Sequence, residues 1–245
     1  MRQYSRFTTL YGERSSDMFG WSVSRAGDFN GDGREDLMVS ALLSGKVYVV
    51  YGRAQFEGSL YVGKLSGREG LVLVGASGTT ATGMAITYAG DFNGDGLSDM
   101  AVSSMTNDRS DVVYVVYGRR NMTMGVLQLN EFNGVAGRVD GVSIVGGRGS
   151  FSGISLSWGG DVDGDGYEDL LVGSLPYRNG YSVQVSYVVY GRGSGASSTI
   201  YLENSGNRVV TLTGGGFIVS GLGDVNGDEQ VEFMLTSWQG WQGQS

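Results

Sequence analysis

The chain has 245 residues, a formal net charge of -8 and a pI near 4.5, a balance that disfavours nucleic-acid partners, which need a basic surface. It holds no histidine and no cysteine, so Ser-His-Asp and Cys-His nucleophile systems, His-liganded zinc and disulfides are excluded. Glycine at 44 residues against one proline, with 17% charged residues, suits short β-strands joined by tight turns, and no apolar run reaches the roughly 18 to 20 residues that span a bilayer.

The first expected element is an outer strand at Phe7-Thr8-Thr9-Leu10. A second strand, Gly20-Trp21-Ser22-Val23-Ser24, leads into the acidic string DFNGDGRED that begins at Asp28. Oxygen side chains stand at positions 1, 3, 5 and 9 of this string, as Asp28, Asn30, Asp32 and Asp36, a spacing that lets one turn wrap a single hard cation. Arg34 occupies position 7, where calcium loops offer a main-chain carbonyl. Next come a short apolar run, Leu37-Met38-Val39, and the string Val49-Val50-Tyr51-Gly52-Arg53.

The same series then recurs. A second loop carries Asp91, Asn93, Asp95 and Asp99 with Leu97 at position 7, and a third carries Asp161, Asp163, Asp165 and Asp169 with Tyr167. The fourth has Asp224, Asn226, Asp228 and Glu232 with Gln230. Loop starts lie 63, 70 and 63 residues apart, and the strings Val115 to Arg119 and Val188 to Arg192 repeat Val49 to Arg53. A further apolar run precedes each later loop, at Leu71-Val72-Leu73-Val74, Val142-Ser143-Ile144-Val145 and Val209-Val210-Thr211-Leu212. Four short strands per unit of 60 to 70 residues form a β-propeller pattern, with units at about 19–74, 83–145, 152–212 and 216–245 and residues 7–10 as a leading outer strand. The expected fold class is all-β, a propeller of four-stranded antiparallel blades in one domain.

Charge supports the metal reading. Thirteen of the 25 acidic residues occupy ligand positions 1, 3, 5 and 9 of the four loops, where they repel one another unless a cation neutralises them. Four divalent ions would cancel the net charge of -8. A helix-loop-helix calcium hand needs Glu at position 12, which here is Val39, Val102, Val172 and Leu235, with apolar strands following rather than helices. Position 6 is Gly33, Gly96 and Gly166 in the first three loops, matching a turn that needs positive φ. Glu229 replaces it in the fourth, at a cost of about 1 kcal/mol, so that loop ranks as the weakest site.

These loops and their flanks resemble the FG-GAP repeats of integrin α-subunit propellers, in which a Phe-Gly strand enters a calcium loop and an apolar strand leaves it. Phe19-Gly20 opens the first unit, Ser40-Ala41 stands at its turn, and Gly45-Lys46-Val47-Tyr48-Val49 follows. Thr82-Gly83 and Ser152-Gly153 replace Phe-Gly later, and only Gly173-Ser174-Leu175-Pro176 keeps a proline. The resemblance implies three to four calcium ions, one per loop, and a protein ligand on the face opposite the loops. It also implies an adhesion or recognition role outside or on the surface of cells, without enzymatic activity.

Integrin-like propellers have seven blades, whereas this chain holds three full units and part of a fourth. Either it closes as a small ring, with residues 7–10 and Ser237 to Trp241 completing the last blade, or further sequence or self-association completes a larger one. The tail lacks Val-Tyr-Val character, which favours the larger assembly. Exposed segments around Asn107-Asp111 and Tyr177-Tyr181 are longer than their counterpart in the first unit, and Tyr177, Arg178 and Tyr181 are candidates for a partner contact set, beside the commoner reading of a longer solvated loop. Two alternatives stand beside adhesion. One is a glycan-binding propeller, with Trp158, Trp238 and Trp241 stacking on sugars, although Trp158 suits a core strand better. The other is the non-catalytic propeller of a larger secreted protein. Met1 to Leu10 lack an apolar signal core, which fits a cytosolic, matured or trimmed chain, while the calcium of the extracellular space suits the loops.

Overall fold

The computed structural model describes residues 8–56, 58–76, 79–106, 111–123, 125–129, 141–147, 149–175, 177–178, 181–182, 184–193, 199–204 and 206–237. Among the described residues twenty strands follow in chain order. The first six are β1 (Thr9–Tyr11), β2 (Phe19–Gly27), β3 (Asp36–Ala41), β4 (Lys46–Val50), β5 (Ser59–Tyr61) and β6 (Gly70–Val74). Then come β7 (Thr79–Gly90), β8 (Asp99–Thr106), β9 (Val112–Val116), β10 (Val126–Gln128) and β11 (Gly141–Val145). The third unit supplies β12 (Ser155–Gly160), β13 (Asp169–Ser174), β14 (Tyr177–Arg178), β15 (Tyr181–Ser182), β16 (Val185–Val189), β17 (Thr199–Tyr201) and β18 (Val209–Thr213). The last pair is β19 (Val219–Gly223) and β20 (Glu232–Leu235).

From inner to outer edge, the antiparallel blades are β2-β3-β4-β6, β7-β8-β9-β11 and β12-β13-β16-β18, with β19-β20 beginning a fourth. Each acidic string joins a first strand to a second, and every first strand shifts register just before it, at Arg25/Gly27, Tyr88/Gly90, Trp158/Gly160 and Gly221/Gly223. Such irregularities bend a strand and turn the chain toward the loop.

The sequence pattern missed one strand per unit. The segment between third and fourth strands crosses to the preceding blade and pairs in parallel with its outer strand: β5 on β1, β10 on β6 and β17 on β11. The leading strand is therefore observed as β1 paired with β5, and among the described residues no strand pairing joins the fourth unit to the first. Phe7 and the segment Trp238 to Trp241 lie outside the described residues.

The core lies in the seams between blades. Alternate residues of one strand face opposite neighbours: Val47 and Val49 of β4 join Met38, Met100, Val102 and Val116 in one cluster, while Tyr48 and Val50 join Ala41 and Val62 in another. Burial on both faces explains why second and third strands read as continuous apolar runs. The second seam packs Ala101, Val113 and Val115 against Leu170, Val172 and Val189, and the third packs Leu171 and Val188 against Val219. Inner strands are also stitched by hydroxyls: Ser24 Oγ accepts from Tyr88 N at 3.3 Å, and Ser157 Oγ accepts from Gly221 N at 2.9 Å.

Of the Phe-Gly pair, the fold requires the glycine. Gly20, Gly83 and Gly153 have φ of 91°, 82° and 85°, although Phe stands only before the first. A Cβ on Gly83 would sit 2.7 Å from Ser40 Cβ and one on Gly153 would sit 2.7 Å from Val113 Cγ2, both on the preceding blade. Among the described residues no helix is long and apolar enough to cross a membrane.

Candidate metal centres

Each loop is wound around the first carboxylate. Asp28 Oδ1 accepts from Asp32 N at 2.9 Å and its Oδ2 from Gly33 N at 2.8 Å. Asp91 holds Asp95 N and Gly96 N at 2.9 and 2.8 Å, and Asp161 holds Asp165 N and Gly166 N at 3.0 and 2.9 Å. Position 3 repeats the device, with the Asn30, Asn93 and Asp163 Oδ1 atoms accepting from Asp32, Asp95 and Asp165 N. The position-5 carboxylates accept from the N–H of Arg34, Leu97 and Tyr167 at 3.0, 2.9 and 3.0 Å. The three position-6 glycines take φ of 85°, 81° and 90°.

The ninth position is different, because it is buried. Asp36 Oδ2 accepts from Phe29 N at 3.1 Å, while its Oδ1 accepts from Gly52 N at 2.7 Å. Asp99 bonds Asn93 N and Gly118 N at 3.2 and 2.8 Å, and Asp169 bonds Val162 N and Gly191 N at 2.7 and 2.9 Å. The recurring Tyr-Gly-Arg strings therefore serve the loops through main-chain N–H groups. Burial pushes Asp36 up to about 6, Asp169 to about 7 and Asp99 to about 8, with neighbouring loop carboxylates adding to the rise.

Asp161, Asp163 and Asp169 each offer a carboxylate oxygen, all within 4.8 Å of one another. Asp163 is itself pushed up, first by burial and then by the charges of Asp165 and Asp161. Asp165 belongs to the same turn but stands outside this trio. The donors are carboxylate, carboxamide and main-chain oxygen, a set that suits a hard divalent cation and offers no nitrogen or sulfur ligand to a softer one. A cation here would offset the cost of ionising the buried ninth carboxylate.

The fourth loop keeps the winding and loses the support. Asp224 accepts from Asp228 N and Glu229 N at 3.2 and 2.9 Å, Asn226 Oδ1 accepts from Asp228 N at 2.8 Å, and Asp228 accepts from Gln230 N at 2.9 Å. Glu229 takes φ 69°, the conformation that glycine fills elsewhere. Glu232 reaches Val225 N at 2.8 Å and Asn226 Nδ2 at 2.9 Å through its longer side chain. Val225, at position 2, is 64% exposed, whereas Phe29 and Phe92 at that position are fully buried.

Position 2 and the Gly of each Tyr-Gly-Arg string are the residues that ligand spacing overlooked. Phe29 and Phe92 anchor their loops in the seams, and their carbonyls accept from Arg119 N and Arg192 N of the next unit, each at 2.9 Å. An aromatic residue inside an otherwise acidic string was the available signal. Trp158 lies on inner strand β12 beside Tyr88, with ring centroids 6.1 Å apart, and its indole N–H donates to Glu168. Residues 107–110 lie outside the described residues, and Asp111 is buried with its carbonyl accepting from Gly146 N. Tyr177 pairs with Ser182 and Arg178 with Tyr181 in the β14-β15 hairpin.

Four-stranded blades, stacked through their faces with an acidic loop between first and second strands, define a β-propeller repeat. A family model described as "FG-GAP repeat" matches residues 19–62 and 152–189, so the chain carries FG-GAP repeats in two places. Over most of its length it is similar to integrin alpha subunits. Integrin alpha-5 of Xenopus laevis is 29% identical over 229 residues, 85% of this chain and 19% of that protein. Integrin alpha-7 of Homo sapiens is 34% identical over 171 residues, covering 68% and 13%, and Integrin alpha-IIb of Homo sapiens is 33% identical over 184 residues, covering 70% and 16%. The chain thus spans about a fifth or less of the length of these relatives.

Proposed function

We propose that the chain is a calcium-binding, non-enzymatic propeller module for adhesion or protein recognition, in which calcium is structural. The observation that carries this reading is the convergence of Asp161, Asp163 and Asp169 within 4.8 Å on a turn that joins two blade strands. An ion there would fix the exit of one strand relative to the entry of the next. Asp28, Asn30, Asp32 and Asp36 with the Arg34 carbonyl would form the first site, and Asp91, Asn93, Asp95 and Asp99 with the Leu97 carbonyl the second. In the third, Asp165 and the Tyr167 carbonyl join the carboxylate trio. Asp224, Asn226, Asp228, Glu232 and the Gln230 carbonyl form the weakest.

Residues 1–245 are read as one FG-GAP propeller domain. Recognition is assigned to the face opposite the loops, which carries the β14-β15 hairpin between the second and third strands of its blade. The integrin relatives favour an extracellular or cell-surface setting, where free calcium is abundant. Native mass spectrometry of calcium-equilibrated protein should show three to four ions per chain, one for each loop. A chain that stays ion-free removes calcium from the proposal. Parallel protein and glycan arrays test the recognition half, and a glycan signal without a protein signal replaces it with a lectin reading.

A further inference from the structure

We infer that Asn121 is an attachment site for an N-linked glycan. Of the chain's asparagines, only this one stands in an Asn-x-Ser/Thr triplet, Asn121-Met122-Thr123. The structure presents the triplet suitably. Asn121 is exposed at a turn with φ 57°, a conformation asparagine tolerates better than most residues. Met122 is 8% exposed and packs into the seam between the first two blades, while Thr123 on its other side is exposed. The buried methionine pins the turn, and the asparagine and threonine on either side of it are exposed.

The transfer balances with a polyprenyl-pyrophosphate-linked oligosaccharide as co-reactant. Asn121 Nδ2 forms the new bond to C1 of the first sugar, the C1–O bond to pyrophosphate breaks, and Nδ2 gives up a proton as the lipid pyrophosphate leaves. No oxidant or reductant takes part.

Position gives the modification a consequence. Arg120, the preceding residue, donates from Nη1 to the carbonyl of Gly31 in the first acidic loop at 3.4 Å, and Arg119 N donates to Phe29 O at 2.9 Å. A glycan on Asn121 therefore stands beside the first metal loop and shields that side of the rim from partners. This rests on the extracellular reading proposed above and sharpens it, since it leaves protein recognition to the opposite face.

The test supplies the secretory route itself. The full chain is expressed behind a heterologous secretion leader in cultured animal cells, and total-cell and secreted material are compared by intact mass before and after an amidase that removes N-glycans. Wild type should carry one amidase-sensitive increment, lost in Asn121→Gln and in Thr123→Ala and retained in Thr123→Ser. A wild-type chain without that increment overturns the inference, as does an increment that survives both disabling substitutions. Calcium stoichiometry on the same material separates the two claims: calcium without glycan defeats only this inference, and glycan without calcium defeats only the calcium reading.

Discussion

The main-chain N–H of Arg119 donates to the carbonyl oxygen of Phe29 at 2.9 Å, across the seam between the first and second blades. One residue earlier, Gly118 N donates to Asp99 Oδ1 at 2.8 Å within the second blade. Two consecutive N–H groups thus brace two acidic loops, and Gly191 and Arg192 repeat the arrangement with Asp169 and Phe92. Replacing Asp99 by Ala leaves the buried Gly118 and Asn93 N–H groups without their acceptor, a loss of about 1–3 kcal/mol. That loss should appear in chelator as well as in calcium. Asp95→Ala, on an exposed carboxylate, should lower stability only in calcium, and urea midpoints in both buffers distinguish the two roles.

Calcium should raise the melting temperature, because an ion that binds only the folded chain stabilises it by about 2.7 kcal/mol at a hundredfold excess over Kd. Asp161→Ala should remove more of that increment than Asp224→Ala, since the third loop gathers three carboxylates and the fourth is exposed. Scanning calorimetry across a calcium series reads the comparison. The opposite order defeats the ranking of the sites.

Acid should favour the ion-free protein. Asp36, Asp169 and Asp99 are raised by burial to about 6, 7 and 8 from 3.8, so the ion-free folded chain holds protons that the unfolded chain has released. Their contribution to stability is full below the unfolded value and is lost as pH rises through the folded ones, from about pH 4 to pH 8. In chelator the melting temperature should therefore fall from pH 5 to pH 8, while the increment produced by calcium, which binds the ionised form, grows over the same interval. A calcium increment that does not change with pH contradicts the assignment of these carboxylates as ligands.

Gly20 and Gly83 permit a paired comparison. Both have positive φ, at 91° and 82°, but an added Cβ at Gly20 meets nothing within 4 Å, whereas at Gly83 it presses on Ser40 and Val47. Gly20→Ala should cost about 1–2 kcal/mol from backbone strain. Gly83→Ala should cost a further 1–3 kcal/mol, roughly, from overpacking the seam. Equal losses in chemical denaturation would falsify the seam argument.

Glu229→Gly should stabilise the fourth loop by about 1 kcal/mol, by relieving the cost of a left-handed non-glycine residue. Tighter calcium binding at that loop is the expected readout in titration calorimetry. Unchanged calcium binding by all loops counts against strain as the cause of its weakness.

Much of the fold could be read from the chain because burial on both faces leaves a plain trace. Leu37-Met38-Val39 and Val47 to Val50 are continuous apolar runs, and they are β3 and β4. Loop spacing likewise located the turns between first and second strands. The crossing strands β5, β10 and β17 were hidden because each has three residues around one inward apolar side chain, Leu60, Leu127 or Ile200, too short for a period to register. The duty of Gly52, Gly118 and Gly191 was hidden for another reason. Their recurrence was visible, but they act through main-chain N–H groups that no residue type announces.

The crossing strands put the heritable unit and the hydrogen-bonded unit out of step. A segment cut at 83–145 would carry β10 away from β6 and β11 away from β17. The blades resemble bricks laid in overlapping courses, in which each course is bonded to the one before it. A single repeat cannot be excised, duplicated or exchanged without opening a joint in both neighbours, so insertions that preserve the fold must copy the overlap together with the blade.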